Sequence, residues 1–466
     1  MSELTSSVAP PYPAFSDKLK FYGIWLLTAL ILLALPKLFS SGGALTTFSL
    51  IGISIIFSLS YNILLGQTGL LSFGHAVYYG LGGFLVIHAI NIISANKLPI
   101  PLPLVPLIGG LTGLFFAALL GWVSTQRSGT AFAMISLGVA ELIASSALIL
   151  RTFFGGEAGI SANRTKLFRI FDWNFGPQIQ IYYLIAAWTL LAVFVMYALT
   201  RTPLGRMCNA VRDNPERVQF VGYDPHVVRY LAFCFAGFFA GIAGSLAAIN
   251  FEIANSAYLG AIQSGTVLFS TYIGGVGFFI GPIIGAIFVT VLSLSLSDLT
   301  PVWQLYFGLF FIAVVTFAPG GLTGLLMMHR PLLKGGTLGK VLPSYLITLV
   351  PTLALVVGLV LAIETIVHHT VNPGDDPNIK AFGMNFNASS PITWIIALFL
   401  IVAGSVAARL TWRKLAGTWN DALKKGPVAS RMASRWTSPT VQVFEMYGPG
   451  KDGKEMKMME ITYTKK

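Results

Sequence analysis

Residues that could carry out enzymatic chemistry are few and isolated in this sequence. Residues 335–341 approach a Walker A loop, but the glycine spacing is wrong and Val341 stands where the hydroxyl should be. His368 and His369 form a lone pair without a third metal ligand nearby, and no HExxH motif is present. The sequence therefore predicts a protein that is not an enzyme, with no catalytic residues, no metal and no cofactor on this chain.

One glycine-rich, uncharged segment lies between two apolar runs, where sequence facing lipid would normally be more hydrophobic. Its candidate functional residues are Gly66, Gln67, Gly69, Ser72 and His75. Irregular backbone at membrane depth is tolerated only where it is buried in protein or lines a watery cavity, so this segment is a candidate wall of a solute path. The alternatives are a close helix crossing packed by small residues and, for His75, a hydrogen bond to a backbone group.

Two further features point to the same kind of site. Gly274 and Gly275 begin a second glycine-rich zone, which extends over residues 273–286. Glu141 lies in the middle of an apolar run, where an ionised carboxylate costs about 2.5–3.5 kcal/mol, so we expect it to face the interior of the helix bundle. There it would hydrogen-bond a neighbouring helix or border the path. A single acid gives thin support to a proton-coupled carrier, which needs a chain of titratable groups.

The composition indicates which elements must hold these residues. Hydrophobic residues make up 55% of the 466 residues and charged residues only 10%, against roughly 25% in soluble domains, so the surface must face lipid. A helix needs about 20 apolar residues to cross a bilayer. Twelve candidate spans follow, at residues 21–39, 45–64, 76–93, 101–123, 131–150, 181–200, 228–248, 263–276, 279–297, 302–318, 344–367 and 392–408.

The distribution of Lys and Arg predicts the orientation of these spans. The net charge is +12, but the basic residues lie between apolar runs and in the C-terminal tail, which does not indicate a nucleic-acid-binding domain. With the N-terminus inside, twenty-three of the thirty basic residues fall on the cytoplasmic side. The predicted organisation is a cytoplasmic segment at 1–20, a membrane core at 21–326 containing a cytoplasmic loop at 201–229, a linker at 327–343, a two-helix membrane hairpin at 344–408 and a basic cytoplasmic tail at 409–466.

The sequence of the loop at 201–229 predicts two short helices, with residues between them that end one helix and begin the next. Asn214 is a suitable N-cap, Pro215 suits the first helical position, Glu216 favours the positive N-terminal end, and Gly222 can end the helix in the left-handed conformation. A short capped helix standing out from a membrane domain needs a partner surface. The alternative is a solvated connector.

Three ordered blocks carry a resemblance to a known family. Residues 61–76 resemble the glycine-rich signature of permeases of branched-chain amino acid ABC importers, residues 205–224 resemble the cytoplasmic loop of their M-type permease, and residues 273–286 match a third block. The resemblance covers roughly residues 45–330. It implies an all-α bundle of about ten transmembrane helices, to which this chain adds two C-terminal spans for about twelve in total.

The resemblance also implies partners and sites. The expected partners are a second related permease, two cytoplasmic ATPase subunits that bind ATP and Mg, and a periplasmic binding protein, in a bacterial inner membrane. Family substrates are mostly leucine, isoleucine and valine, with urea, short amides or aromatic acids in relatives; a stand-alone secondary transporter or channel is the alternative class. Gly155 and Gly156 lie in a segment similar to the family's outer mouth, or simply form a turn. The loop would dock on an ATPase through Arg206, Arg212, Asp213, Asn214, Glu216, Arg217 and Gly222.

Overall fold

The computed structural model describes residues 15–168, 173–370, 378–381, 384–424, 431–438, 441–449 and 455–464. The first fourteen residues of the predicted N-terminal segment lie outside this part of the chain. The structure separates into two compact units, the first ending at Gly324 and the second beginning at Leu325.

The first unit consists of helices joined by short connections. Apolar runs form its long helices, because within a bilayer a helix satisfies every backbone hydrogen bond internally. In chain order they are α1 (Phe15–Leu38), α2 (Gly42–Asn62), α3 (Ala76–Ala95), α4 (Val105–Ser124), α5 (Thr130–Ile149), α6 (Arg151–Phe154), α7 (Gln178–Arg201), α8 (Pro203–Asp213), α9 (Pro215–Phe220), α10 (Pro225–Phe251), α11 (Ala261–Gly274), α12 (Gly281–Leu299), α13 (Trp303–Phe317) and α14 (Gly321–Met328), which runs across the unit boundary. A π-helical turn, Ile63–Thr68, extends α2. Strands β1 (Ile160–Ser161) and β2 (Ile253–Ala254) pair antiparallel.

Helix α10 lies at the centre of the first unit, with 89% of its most apolar stretch buried. Its glycines allow neighbouring backbones to approach closely. A Cβ on Gly241 would lie 2.1 Å from the carbonyl oxygen of Gly109 on α4, and one on Gly244 would lie 1.8 Å from that of Tyr79 on α3. Small residues at helix crossings are how membrane helices gain packing contacts without a hydrophobic driving force.

The second unit is built on two long helices, which pack against each other. Its elements are α15 (Arg330–Lys334), α16 (Leu338–Thr370), β3 (Asn378–Ala381), β4 (Met384–Asn387), α17 (Pro391–Lys424), β5 (Arg431–Ser438), β6 (Val441–Pro449) and β7 (Glu455–Thr464). The 33 residues of α16 extend about 50 Å, well beyond the roughly 30 Å of a bilayer core. Strands β3 and β4 pair antiparallel between α16 and α17, and the predicted tail begins as helix and continues into an antiparallel β5–β6–β7 sheet.

The prediction of an all-α membrane protein is confirmed, whereas the count of twelve spans is not. Among the described residues, nine helices are long and apolar enough to cross a membrane, or ten if Trp303–Phe317 and Gly321–Leu333 form one bent span. Each predicted span coincides with helix. The difference arises because α11 has only 14 residues and the apolar part of α1, Tyr22–Leu38, is also short.

Candidate functional site

The loop between α7 and α10 has the predicted two-helix structure. Asn214 caps α9, since its Oδ1 accepts a hydrogen bond from the N–H of Arg217 at 3.0 Å. Gly222 has φ +90°, a value that suits glycine and strains other residues. Asp224 then caps α10, its Oδ1 accepting from the N–H of His226 at 2.8 Å. The loop is therefore a folded element whose last cap is also the start of the central helix.

The tip of this loop is apolar and open. Val218 is buried within the chain, whereas Phe220 is 90% exposed and Val221 is 71% exposed. Glu216 and Arg217 are exposed beside them. An apolar tip with charged neighbours is a surface suited to a protein partner.

Arg212 joins the loop to the π-helical turn at the end of α2. Its Nη1 donates a hydrogen bond to the carbonyl oxygen of Gly66, and its Nε lies 3.0 Å from Oδ1 of Asp213. Gly69, at φ +72°, lies against the same side chain, because a Cβ there would be 3.0 Å from Cγ of Arg212. Arg212 of the loop therefore contacts Gly66 and Gly69, two residues predicted to border the path.

The same turn contacts the second glycine-rich zone. A Cβ on Gly66 would lie 2.8 Å from the carbonyl oxygen of Val276, and one on Gly274 would lie 2.0 Å from that of Gly281. Gly275 adopts φ +114° at the end of α11. The π-turn is therefore held between α8 on one side and the α11–α12 connection on the other.

His75 is fully buried and bonds a side chain, so the alternative of a hydrogen bond to a backbone group is not the one that the structure shows. Its Nε2 lies 2.9 Å from Oγ of Ser60, whose hydroxyl donates to the carbonyl of Phe57 at 2.7 Å. With the hydroxyl proton assigned to the carbonyl of Phe57, the ring proton is assigned to Nε2, and Nδ1 carries a lone pair. The ring stacks on Phe57 with centroids 5.4 Å apart.

Four buried polar atoms near the turn have no hydrogen-bond partner among the described residues. They are Oδ1 of Asn62, Oε1 of Gln67, Oγ of Ser72 and Nδ1 of His75. Native structures pair nearly all buried polar atoms, so a cluster of unpaired ones is unusual. The sequence singled out Gln67, Ser72 and His75, but it gave no signal for Asn62.

Glu141 does not face the interior of the bundle, as was predicted, but is exposed on the surface of the chain. The buried side of α5 instead meets the glycine-rich segment, where Oγ of Ser136 accepts a hydrogen bond from the N–H of Phe73 at 3.0 Å. A Cβ on Gly74 would lie 2.3 Å from the carbonyl oxygen of Ser136. This contact fixes the rotation of α5 and turns Glu141 outward.

The opposite side of the unit is organised by Arg164, which the sequence gave no reason to choose. Its guanidinium donates to the carbonyls of Ile249 and Asn250 at 3.0 and 2.8 Å and to that of Phe175 at 2.9 Å. The backbone N–H of Arg164 donates to Oε1 of Glu252 at 2.9 Å. Burial lowers the pKa of the guanidinium below its usual value, and Glu252 acts in the other direction. Arg164 thereby caps the end of α10, where a cation is favoured.

The predicted outer-mouth glycines lie on this opposite side. Gly155 and Gly156 have φ +73° and +67°, and the chain then enters β1. A Cβ on Gly155 would lie 2.2 Å from the carbonyl oxygen of Gly159, so the segment is a tight turn. Because β1 pairs with β2, which directly follows α10, this turn is tied to the central helix.

The groups that might have held a metal do not assemble. Among the described residues, no three His, Cys, Asp or Glu side chains come together. Nε2 of His369 instead lies 3.1 Å from the carbonyl oxygen of Ala388. Cys208 and Cys234 are free and buried, and burial raises the pKa of the Cys208 thiol to about 12.

These helices define the class, which is a multi-pass transmembrane protein. The chain belongs to the family described as the branched-chain amino acid transport system permease component, which matches residues 43–319. It is 28% identical over 333 residues to the high-affinity branched-chain amino acid transport system permease protein LivM of Escherichia coli K12, covering 66% of this chain and 76% of the relative.

Other relatives extend the same comparison. LivM of Salmonella typhimurium is 26% identical over 343 residues, covering 69% of this chain and 79% of the relative. The ribose import permease protein RbsC of Haemophilus influenzae is 24% identical over 301 residues, covering 62% and 88% respectively. No solved structure matches the chain. The family match lies within the first unit, and the second unit lies outside it.

Proposed function

We propose that this chain is the membrane-spanning subunit of an ATP-driven importer and forms the translocation path for hydrophobic, branched-chain amino acids. Membership of the permease family supports the class, and the names of the LivM relatives support the substrate. The observation that carries the proposal is the capped loop α8–α9, whose open tip is joined through Arg212 to the π-turn at Gly66.

Membership of the permease family supports a set of partner subunits for this chain. ATP and Mg bind to two separate ATPase subunits, a second related permease completes the path, and a periplasmic binding protein delivers the solute. The chain lies in a bacterial inner membrane with both termini in the cytoplasm. The excess of Lys and Arg on the side of the α8–α9 loop supports this orientation.

The structure suggests how loop displacement would reach the path. ATPase closure moves α8 and α9, and Arg212 carries this movement to the π-turn and so to the zone around Val276. Helix α10 begins at the last cap of the loop and continues for 27 residues, about 40 Å, to the carbonyls held by Arg164. One rigid helix therefore connects the docking loop with the segment around Gly155.

Co-purification tests the proposal. We expect the tagged chain, expressed with its ATPases, to retain them in stoichiometric amounts, and Glu216→Lys to release them because it reverses the charge at the exposed start of α9. Glu157→Lys is the matched control, since Glu157 is also exposed but lies on the opposite side. Equal ATPase recovery from both variants would refute docking through this loop.

A further inference from the structure

Helix α5 carries a carboxylate where the bilayer is deepest. Its 20 residues extend about 30 Å, the thickness of a bilayer core, and Glu141 is the twelfth of them. Of the seven spans that the structure describes between residues 42 and 299, the only other acid is Asp298, next to the end of α12. Glu141 is therefore the one carboxylate at mid-depth in this set.

The face of α5 that carries Glu141 is open. Only 28% of the span is buried, and Met134 and Leu142 on this surface are 66% and 63% exposed. No atom lies within 4 Å of the position that a Cβ on Gly138 would occupy, one turn before Glu141. Glu141 makes no hydrogen bond or ion pair with the described residues. A carboxyl group at this depth normally faces a water-filled cavity or a polar partner, so we expect this face to border such a surface and not lipid.

The same helix joins the two predicted ends of the path. On the loop side it holds the glycine-rich segment through Ser136, and at its other end it leads through α6 into Gly155 and Gly156. In the proposed importer a second permease completes the path, so a solute would pass between that subunit and the open face of α5. The open face offers it an apolar surface with a single charge at the midpoint.

We propose that Glu141 pairs with the protonated amino group of the transported solute at the midpoint of the path. An ammonium group offers three N–H donors, and a charge-assisted hydrogen bond to a carboxylate is about twice as strong as a neutral one. Met134 lies two turns before Glu141 on the same face of α5 and suits an apolar side chain of the solute. This inference rests on the proposed function and names the residue that binds the amino group of its substrate.

The first test replaces the carboxylate in the complete importer, with both permeases, the ATPases and the binding protein in proteoliposomes. Glu141→Gln keeps the shape of the side chain and removes its charge, so we expect ATP-driven leucine uptake to fall about tenfold or more with assembly unchanged. Glu141→Asp should retain a larger share of the uptake. Uptake at the wild-type rate by Glu141→Gln would overturn the inference. Loss of the second permease when Glu141→Gln is purified would also overturn it, because the carboxylate would then pair with that subunit and not with the solute.

A second test probes the environment of the carboxylate directly. Ser145 is exposed one turn after Glu141, and Ser145→Cys should react faster with a cationic than with an anionic thiosulfonate reagent. We expect this preference to disappear when Glu141→Gln is added. Leu119→Cys is the control, because this position is 60% exposed on α4, a helix that carries no acid, and the native cysteines are buried.

The outcomes distinguish failure of the proposed function from failure of the proposed role of Glu141. Failure of the wild-type importer to take up leucine would reject the proposed function itself. Wild-type transport, together with no labelling at residue 145 or no charge preference there, would reject only the role of Glu141. Leucine present with ATP and the binding protein should slow labelling at residue 145, and equal rates with and without leucine would also count against the role.

Discussion

Replacing Phe220 tests the docking surface in isolation from the fold. This side chain is 90% exposed, so Phe220→Ala should change the chain's own free energy of unfolding by less than about 0.5 kcal/mol. If the side chain becomes buried against an ATPase, its removal forfeits about 1.5–3 kcal/mol of binding free energy. That loss corresponds to a roughly 10-fold to 100-fold higher Kd for the ATPase.

The assay is a titration of purified ATPase onto the permease in lipid nanodiscs, with Kd measured by biolayer interferometry. Phe168→Ala is the matched control, because Phe168 is 56% exposed and lies on the opposite side of the unit. We expect the control to leave Kd unchanged and both variants to keep the thermal midpoint of the wild type. A Kd for Phe220→Ala within twofold of the control would refute docking through the tip of α9.

Three other variants test separate parts of the structure. Arg164→Gln leaves buried carbonyls at the end of α10 without a charged donor, so the free energy of unfolding should fall by about 3 kcal/mol. Arg151→Gln, at an exposed position, is the control and should change it by less than about 0.5 kcal/mol. Similar thermal midpoints for the two variants would contradict the capping role of Arg164. Gly222→Ala strains a residue at φ +90° by about 1 kcal/mol, so the number of ATP molecules hydrolysed per solute imported should rise. Gly265→Ala is the control, because a Cβ there meets no atom within 4 Å, and it should leave this number unchanged. Arg212→Leu removes the hydrogen bond to the π-turn but leaves the docking tip intact, so ATP hydrolysis should continue while solute uptake falls. An unchanged ratio of ATP hydrolysed to solute imported would count against a role for this hydrogen bond.

The features that the sequence predicted well are those determined locally. Apolar runs of sufficient length predicted the helices, because each run satisfies its own backbone and needs no distant partner. The loop was predicted in detail for the same reason. Asn214 caps a helix whose N–H groups lie within three residues, and the left-handed conformation of Gly222 depends on that residue alone.

The features that the sequence did not predict depend on contacts between distant parts of the chain. Arg212 lies 146 residues from Gly66, and Arg164 lies 85 residues from Ile249, so no local pattern connects either pair. Glu141 was assigned to the wrong face because α5 is apolar on all sides, and its periodicity does not indicate which side is buried. The contact with Ser136 determines that side, and it appears only in three dimensions.

The second unit extends the chain beyond its family. The family match ends at residue 319, close to the boundary at Gly324. Within the second unit, α16 and α17 pack against each other. A Cβ on Gly358 would lie 2.9 Å from the carbonyl oxygen of Ala397, so these two helices approach closely. The unit is thus a folded addition with its own helix packing.

In the mechanism that we propose, force from a separate ATPase is received by the α8–α9 loop and drives the membrane path. The most direct measurement is leucine uptake into proteoliposomes that contain the permeases with or without the ATPases, in the presence of the binding protein and ATP. We predict uptake that requires both the ATPases and ATP, and no flux above empty vesicles when the ATPases are omitted. Substantial leucine flux through this chain without any ATPase would contradict the account.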